Sequence, residues 1–175
     1  MIIAQQKRKE NIIEYILYMM QIQDLIRACS FNINIIEEKL INNYQVAENE
    51  KQKIKEWYSD LIISMQKEKL QETGYLNSCK KIIDDLNILH KTIISEKQNI
   101  KYAEVYLWAK NNILAYKDKS KSNTENEVEI CINALYGLLL LRLKNVEINP
   151  ETKEAMQTIS NLMGLLANHY HQNNN

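Results

Sequence analysis

Residues 127–144 read EVEICINALYGLLLLRLK, and this stretch decides the fold. On a helix of about 3.6 residues per turn, its apolar side chains cover almost the whole circumference and leave only a narrow polar arc at Glu129, Asn133 and Lys144. A helix of this kind is either a core helix or a membrane span. Its longest apolar run is four leucines, far below the roughly 20 residues that a bilayer requires, and Arg142 follows directly. The stretch therefore predicts a buried central helix.

Apolar residues that recur every three or four positions predict further helices around this one. The first of them is long and has a wide apolar face, whereas the second is short and rich in asparagine. Together with the central helix they predict a bundle of six or seven helices. The predicted ranges are 5–29, 33–43, 47–72, 77–96 and 101–116, with 150–170 after the central helix.

Several of these ranges begin or end at residues that favour helix termini. Thr124 followed by Glu127 predicts a capping box before the central helix. The pair Asn149–Pro150 is a typical start for the last helix. Gly74 is placed to end the third helix in the left-handed conformation. The polar residues 117–123 predict an exposed loop.

Length and composition indicate one all-α domain. A chain of 175 residues can bury about 70 % of its unfolded surface around one core. Only three glycines and one proline interrupt it, which favours long helices over strands and tight turns. We expect a single domain at 1–170 and a disordered polar tail at 171–175.

Charge and cysteine content limit the expected cellular compartment and the expected classes of binding partner. The 22 basic and 22 acidic residues balance, so no net field attracts nucleic acid or an anionic membrane surface. Cys29, Cys79 and Cys131 are an odd number and fall on apolar helix faces, which predicts buried, unpaired thiols in a reducing compartment. No signal peptide is apparent, and we expect the protein in the cytoplasm.

The motifs of familiar catalytic and metal sites do not occur in the sequence. A di-iron bundle requires Glu-x-x-His sequences, but no acidic residue lies three positions before His90, His169 or His171. A Gly-rich phosphate loop, a Gly-x-Ser-x-Gly elbow and a Cys-x-x-Cys pair are also missing. We expect no metal and no cofactor, and His169 and His171 read as a solvated helix end. Catalysis without a familiar signature stays open.

Four polar residues point inward on three of the predicted helices. Arg27 and Arg142 lie on apolar faces, where an unpaired charge is costly. Asp24 is the expected partner of Arg27, whereas Arg142 has no acid within a turn and is expected inside the bundle, on a carboxylate of another helix or a bound anion. With Gln23 and His90 they could line a small polar pocket for a ligand. The alternative, and the commoner arrangement, is a set of separate core contacts.

Three segments resemble a known family: AQQKRKENIIEYILYMMQIQDLIRA at 4–28, ALYGLLLLRLK at 134–144 and ISNLMGLLANHYH at 159–171. They are similar to a bacterial family of small all-helical proteins known only as a domain of unknown function, over essentially the whole chain. The resemblance implies a helical cytosolic protein and no particular activity. In that family the position of Gln23 is usually acidic. The amide here weakens a role for this residue as a charged partner of Arg27 or as a catalytic carboxylate.

Two functions remain open from the sequence. The first is a non-enzymatic interaction or scaffold protein that presents helix faces to a protein partner or to a second copy of itself, because apolar residues such as Ile63, Leu107, Leu114 and Leu165 are left outside one core. The second is a bundle that binds, or acts on, a small anionic molecule in an internal polar pocket. Oligomeric state in solution separates the self-association form of the first hypothesis from the second.

Overall fold

The computed structural model describes residues 2–96 and 99–174, and every regular element in these ranges is helical. The all-α class is therefore confirmed. Eight α-helices and one 3₁₀ turn stand in these ranges, where six or seven helices were predicted. The helices are α1 (Ile2–Glu10), α2 (Ile12–Ala28), α3 (Ile33–Lys39), α4 (Glu48–Lys67), α5 (Asn77–Glu96), α6 (Ile100–Ser120), α7 (Glu127–Leu143) and α8 (Pro150–Asn174), and the 3₁₀ turn is Ile41–Asn43.

The predicted central helix is α7, and its first half is buried against α2, α5, α6 and α8. Four of its first six residues are at most 2 % exposed. Its second half emerges from the bundle, so that Leu141 and Leu143 are 38 % and 61 % exposed. The burial predicted for the whole stretch therefore applies to the first half only.

Helix α2 lies between two clusters of buried apolar side chains. Ile16 and Met20 face the α7 cluster, and Met19 and Ile26 face the α4 cluster, because neighbouring positions on a helix point about 100° apart. The wide apolar face of α2 thus serves two packing surfaces. The α4 cluster comprises Ala4, Met19, Ile22, Ile26, Cys29, Ile36, Ile41, Tyr58, Ile62, Met65, Leu76 and Cys79. The α7 cluster comprises Ile12, Ile13, Ile16, Met20, Ile82, Ile83, Leu86, Tyr102, Ala109, Ile113, Val128, Ile130, Cys131, Ile132, Ala134, Tyr136, Ile159, Leu162, Met163, Leu166 and Ala167.

Four helices end on a residue other than glycine in the left-handed conformation. These residues are Ser30, Lys69, Lys121 and Asn145, with φ between 52° and 58°. In each case the following N–H bonds the carbonyl five residues earlier, which is the Schellman closure. Gly74 also has a positive φ, of 89°, but it lies in the loop after α4. The prediction that it ends that helix is wrong, because Lys69 does so.

Asparagine side chains begin several helices. Asn11 is extended, and its Oδ1 accepts two first-turn N–H groups at 3.0 and 3.2 Å, which divides the predicted first helix into α1 and α2. Asn126 caps α7 by accepting a first-turn N–H at 2.9 Å, so the capping residue predicted at Thr124 is wrong. Asn149 caps α8 as predicted, with an acceptor distance of 2.7 Å.

Two helices extend further than the sequence predicts. Helix α6 continues through Ser120, so most of the loop predicted at 117–123 is helical. Helix α8 continues through Asn174, whereas a disordered tail was predicted at 171–175; Asn175 lies outside the described residues. The Nε2 atom of His171 accepts a hydrogen bond from the backbone N–H of Ile12 at 3.2 Å, which holds this last turn against the start of α2.

Cys29, Cys79 and Cys131 are buried and carry free thiols, as predicted. Burial raises the pKa of the Cys79 thiol to about 11 and also raises the pKa of Cys131.

Within the part of the chain that the structure describes, no helix is long and apolar enough to cross a membrane.

Candidate functional site

The four polar residues predicted to point inward lie at three separate places, and Gln23 and Arg27 share the first. The side chain of Gln23 is fully buried. Its Nε2 donates to the carbonyl of Met19 at 2.8 Å, and its Oε1 accepts from the N–H of Leu76 at 2.7 Å. Gln23 therefore joins the segment before α5 to α2.

Arg27 lies one turn further along α2 and contacts the same segment. Its Nη2 donates to the carbonyl of Gly74 and stands 3.6 Å from Asp24 Oδ1, so the predicted partner is confirmed and a second one is added. The other oxygen of Asp24 accepts from the hydroxyl of Tyr136 on α7. The Nη1 atom is buried and has no hydrogen-bond partner among the described residues. Arg27 thus links α2, the loop before α5 and α7.

A cleft of about 280 Å³ opens beside Arg27. Two carboxylates, of Asp24 and Glu72, face one guanidinium there, so the local charge does not favour an anion. This argues against an anionic ligand at Arg27. The cleft is lined by Met20, Asp24, Arg27, Glu72, Thr73, Gly74, Tyr75, Asn133 and Tyr136.

His90 forms the second place, a polar network between α5, α6 and α7. Its ring is only 1 % exposed, with Nδ1 at 2.7 Å from the hydroxyl of Tyr102 and Nε2 at 3.1 Å from Glu127 Oε2. The hydroxyl of Tyr106 donates to both oxygens of Glu127, at 3.1 and 3.2 Å. Lys110 lies 6.0 Å from the centre of the Tyr106 ring. One carboxylate therefore gathers side chains from two other helices.

The electrostatics of the network indicate where its protons lie. Hydrogen bonds from His90, and then from Tyr106, hold the pKa of Glu127 below its usual value despite its partial burial. An ionised Glu127 only accepts, so Nε2 of His90 carries the hydrogen of the bond to Glu127. Burial raises the pKa of Tyr106 to about 12, and it also raises that of Tyr102. Both hydroxyls therefore stay protonated at neutral pH.

The His90 network has the residue types of a catalytic relay, but two of its members, His90 and Tyr102, are buried. Tyr102 is 0 % exposed, and its ring packs edge-on against His169 of α8 at 5.8 Å between centres. His169 Nε2 in turn accepts from the amide of Asn99, which caps α6. A nucleophile or general base must reach its substrate, and Tyr102 and His90 do not reach the surface. The network is best understood as a support that fixes the start of α7.

Arg142 lies at the third place, and the prediction that it points into the bundle is wrong. The residue is exposed, not inside the bundle, because the second half of α7 extends beyond the helices that cover its first half. It lines a cleft of about 310 Å³, here called the Arg142 cleft, between α2, α7 and α8. No carboxylate among the described residues pairs with it. The cleft is lined by Asn11, Ile13, Glu14, Leu17, Leu135, Leu138, Leu139, Arg142, Lys153, Met156, Gln157, Ser160, Met163 and Gly164.

The outer face of α6 carries a row of exposed apolar side chains, here called the α6 stripe. It consists of Ile100, Leu107, Trp108 and Leu114, which are 72 %, 65 %, 71 % and 45 % exposed. Their spacing of seven residues, with Trp108 beside the middle one, places them on one side of the helix. The opposite side of α6 packs against α8 and the α7 cluster. The helix is thus apolar on two faces.

A wide groove adjoins this stripe where α6, α7 and α8 diverge. It measures about 860 Å³ and is here called the α6 groove. Small residues line much of it, and its walls include the exposed half of α7. The lining residues are Asn112, Ala115, Tyr116, Lys119, Ala134, Gly137, Leu138, Leu140, Leu141, Lys144, Asn149, Glu151, Thr152, Glu154, Ala155, Met156 and Thr158.

The sequence predicted part of these surfaces. Leu107, Leu114 and Ile63 are exposed as expected, whereas Leu165 is half-buried against the α7 cluster. Trp108 was missed, although its place beside Leu107 on a polar side of the helix was a usable signal.

Among the described residues, no three side chains of His, Cys, Asp or Glu gather where they could hold a metal ion.

The fold and its surfaces define an all-helical protein in which α2 and the start of α7 are enclosed by the remaining helices. The chain belongs to the family described as Domain of unknown function (DUF4924), which matches residues 1–175. The family resemblance drawn from the sequence is thereby confirmed. Comparisons with curated proteins and with solved structures give no match. Membership in this family names no activity, so a function has to be argued from the surfaces themselves.

Proposed function

We propose that the protein is a non-enzymatic, self-associating interaction protein, and that α6 forms the contact between two copies. The observation that carries this proposal is Trp108, 71 % exposed within a row of exposed apolar side chains. Tryptophan is enriched at the energetic centres of protein interfaces, and contiguous apolar patches are uncommon on monomers. A second copy would remove the α6 stripe from water.

The shape of the surface supports a symmetric contact. In a two-fold interface the same patch serves both partners, so a protrusion needs a matching recess nearby. Ala115 in the α6 groove lies two turns after Trp108, about 10 Å further along the same side of the helix. Antiparallel pairing of α6 about an axis near Asn111 and Asn112 sets Trp108 of each copy over Ala115 of the other.

Charge supports the same alignment. The axis that pairs Trp108 with Ala115 sets Glu104 of one copy opposite Lys119 of the other. Both residues are exposed, and neither forms an ion pair within the described residues. Such a pair at a rim contributes only about 0–1 kcal/mol and serves mainly to orient the partners. Parallel pairing would set like residues side by side.

The proposed partner is a protein, and the proposed setting is the bacterial cytoplasm. The equal numbers of basic and acidic residues offer no field for nucleic acid. Free, buried thiols fit a reducing compartment. The family resemblance read from the sequence is to bacterial proteins, which is why a bacterial cytoplasm is proposed.

Light scattering after size exclusion, over a wide range of protein concentration, tests self-association. We expect the wild-type chain to reach the mass of a dimer and Trp108→Lys to stay monomeric, because a charge in the contact must be desolvated. Ile63→Lys on α4 is the matched control, since Ile63 is 62 % exposed and lies outside the α6 stripe. It should dimerise as the wild type does.

Ala115→Glu provides a second test from the recess side of the contact. It places a carboxylate where Trp108 of the other copy is proposed to sit, and it should also give a monomer. A wild-type chain that remains monomeric at high concentration, or equal dimerisation of Trp108→Lys and Ile63→Lys, would reject the proposal.

A further inference from the structure

We propose that the Arg142 cleft binds a small amphipathic anion, with its carboxylate or phosphate group at Arg142 and Lys153 and its apolar body on the cleft floor. This inference is independent of self-association, because the Arg142 cleft shares only Leu138 and Met156 with the α6 groove. The proposal gives Arg142, which pairs with no carboxylate among the described residues, a bound anion as its partner.

The cations at the mouth of the cleft are the first support. Arg142 and Lys153 both line it, and neither is paired with a carboxylate among the described residues. Glu14, the acid in the lining, is already held by Lys7 at 2.9 Å. The mouth therefore has an excess of positive charge. A guanidinium and an ammonium that line the same cleft suit a carboxylate or phosphate, which arginine can bind with two parallel hydrogen bonds.

The apolar part of the lining, here called the floor, supplies the second requirement and lies beside polar side chains such as Asn11 and Gln157. It comes from three helices, with Leu17 from α2, Leu139 from α7 and Met163 from α8 among its members. A simple inorganic anion would leave this floor in contact with water, and an uncharged apolar molecule would leave the cations without a counterion. A molecule with both parts satisfies both. The volume of about 310 Å³ is at the small end of the range for ligand pockets.

Gly164 lines the cleft beside open space. Apart from its chain neighbours and the backbone of its own helix, a Cβ atom built on this residue would meet no atom within 4 Å, although Gly164 lies in the middle of α8 and lines the cleft. No contact among the described residues therefore requires a glycine here. Glycine also weakens a helix interior by about 1 kcal/mol relative to alanine. The space above it is available to the apolar body of a ligand.

The other polar places of the molecule suit an anion less well. The cleft at Arg27 has two carboxylates against one guanidinium, and His90 is buried with both ring nitrogens already bonded to Tyr102 and Glu127. In the Arg142 cleft, two unpaired cations, apolar side chains and access from solvent occur together.

Calorimetric titration with defined probes tests the proposal. Octanoate and octyl phosphate carry both parts of the predicted ligand, whereas acetate, inorganic phosphate and octanol carry one part each. We expect saturable binding of octanoate or octyl phosphate, and at least tenfold weaker binding of the three single-part probes. The stronger of the two octyl probes identifies the preferred head group. Equal binding of octanoate and acetate would overturn the proposal.

Three variants locate the site. Arg142→Gln should weaken binding of the better octyl probe about 10- to 100-fold, as expected for loss of a hydrogen bond to a charged group. Lys144→Gln is the matched control, since this exposed lysine lies two residues later and lines the α6 groove instead. Gly164→Leu should abolish binding by filling the cleft, and it should fold, because its side chain enters open space and leucine favours a helix.

The two proposals can fail separately. Trp108→Lys lies outside the Arg142 cleft and should bind the octyl probe as the wild type does, whether or not the chain dimerises. Equal effects of Arg142→Gln and Lys144→Gln, or unchanged binding by a folded Gly164→Leu variant, would show that the probe binds elsewhere and would reject the site.

Discussion

At the scale of single residues, Glu127 makes the stability of the protein depend on pH. Its pKa in the folded chain lies below 4.5, mainly because His90 and Tyr106 bond its ionised form. A lowered pKa gives stability that is present above the unfolded value and is lost as the pH falls through the folded value. The contribution should therefore be complete at pH 7 and should be lost progressively in acid, as the pH falls from the unfolded value through the lowered folded value.

Replacement of this carboxylate tests the linkage. Glu127→Gln should lower the free energy of unfolding by roughly 1–2 kcal/mol at pH 7, since hydrogen bonds to a charged acceptor become bonds to a neutral one. The difference from the wild type should shrink towards zero when urea unfolding is repeated at acidic pH. Glu125→Gln is the control, because Glu125 is 88 % exposed and should change stability little at either pH. A difference that persists in acid would contradict the assignment.

The residues also show what a sequence can reveal about a site. The pair Asp24–Arg27 could be predicted because its members are three positions apart on one helix. The further partners, Gly74 and Tyr136, come from segments 47 and 112 residues away, which no local pattern encodes. Arg142 was misplaced because a helical wheel gives the direction of a side chain and not the point at which the neighbouring helices end.

At the scale of helices, the four residues that end a helix in the left-handed conformation, Lys69 among them, carry backbone strain that a glycine would relieve. A residue other than glycine in the left-handed conformation costs roughly 1–2 kcal/mol. Lys69 has a φ of 58° and is exposed. Lys69→Gly should therefore stabilise the protein by about 1 kcal/mol and raise its Tm by about 2–4 °C in a thermal melt. Gln66→Gly, one turn earlier inside α4, should destabilise it by a similar amount. If both variants lower the Tm, the left-handed closure is not the source of strain.

The same closures explain which helix boundaries could be predicted. Helix α5 has the bounds that its apolar pattern predicts, 77–96. The ends of α4 and α6 differ, because Lys69 and Lys121 adopt a conformation that rules of sequence assign to glycine or asparagine. The break at Asn11 was missed for a related reason, since an asparagine inside an apolar period is compatible with a continuous helix as well as with a cap.

At the scale of the whole molecule, the cysteines report whether the two clusters open together. Cys79 belongs to the α4 cluster and Cys131 to the α7 cluster. A single cooperative domain, as the sequence predicts, should expose both thiols only on global unfolding. Labelling with iodoacetamide, followed by mass spectrometry and corrected by the rates in unfolded chain, should then give equal protection. Much faster labelling of Cys79 would show that the α4 cluster opens alone.

The bond between His171 and Ile12 joins positions 159 residues apart, and this separation has a consequence for synthesis on the ribosome. At about 5–20 residues per second, roughly 8–32 s pass between the two positions. Helices α3 and α4 emerge early and can cover one face of α2, but α7 and α8 are made last. The nascent chain therefore exposes Ile16 and Met20 to solvent for most of its translation, until α7 and α8 are made.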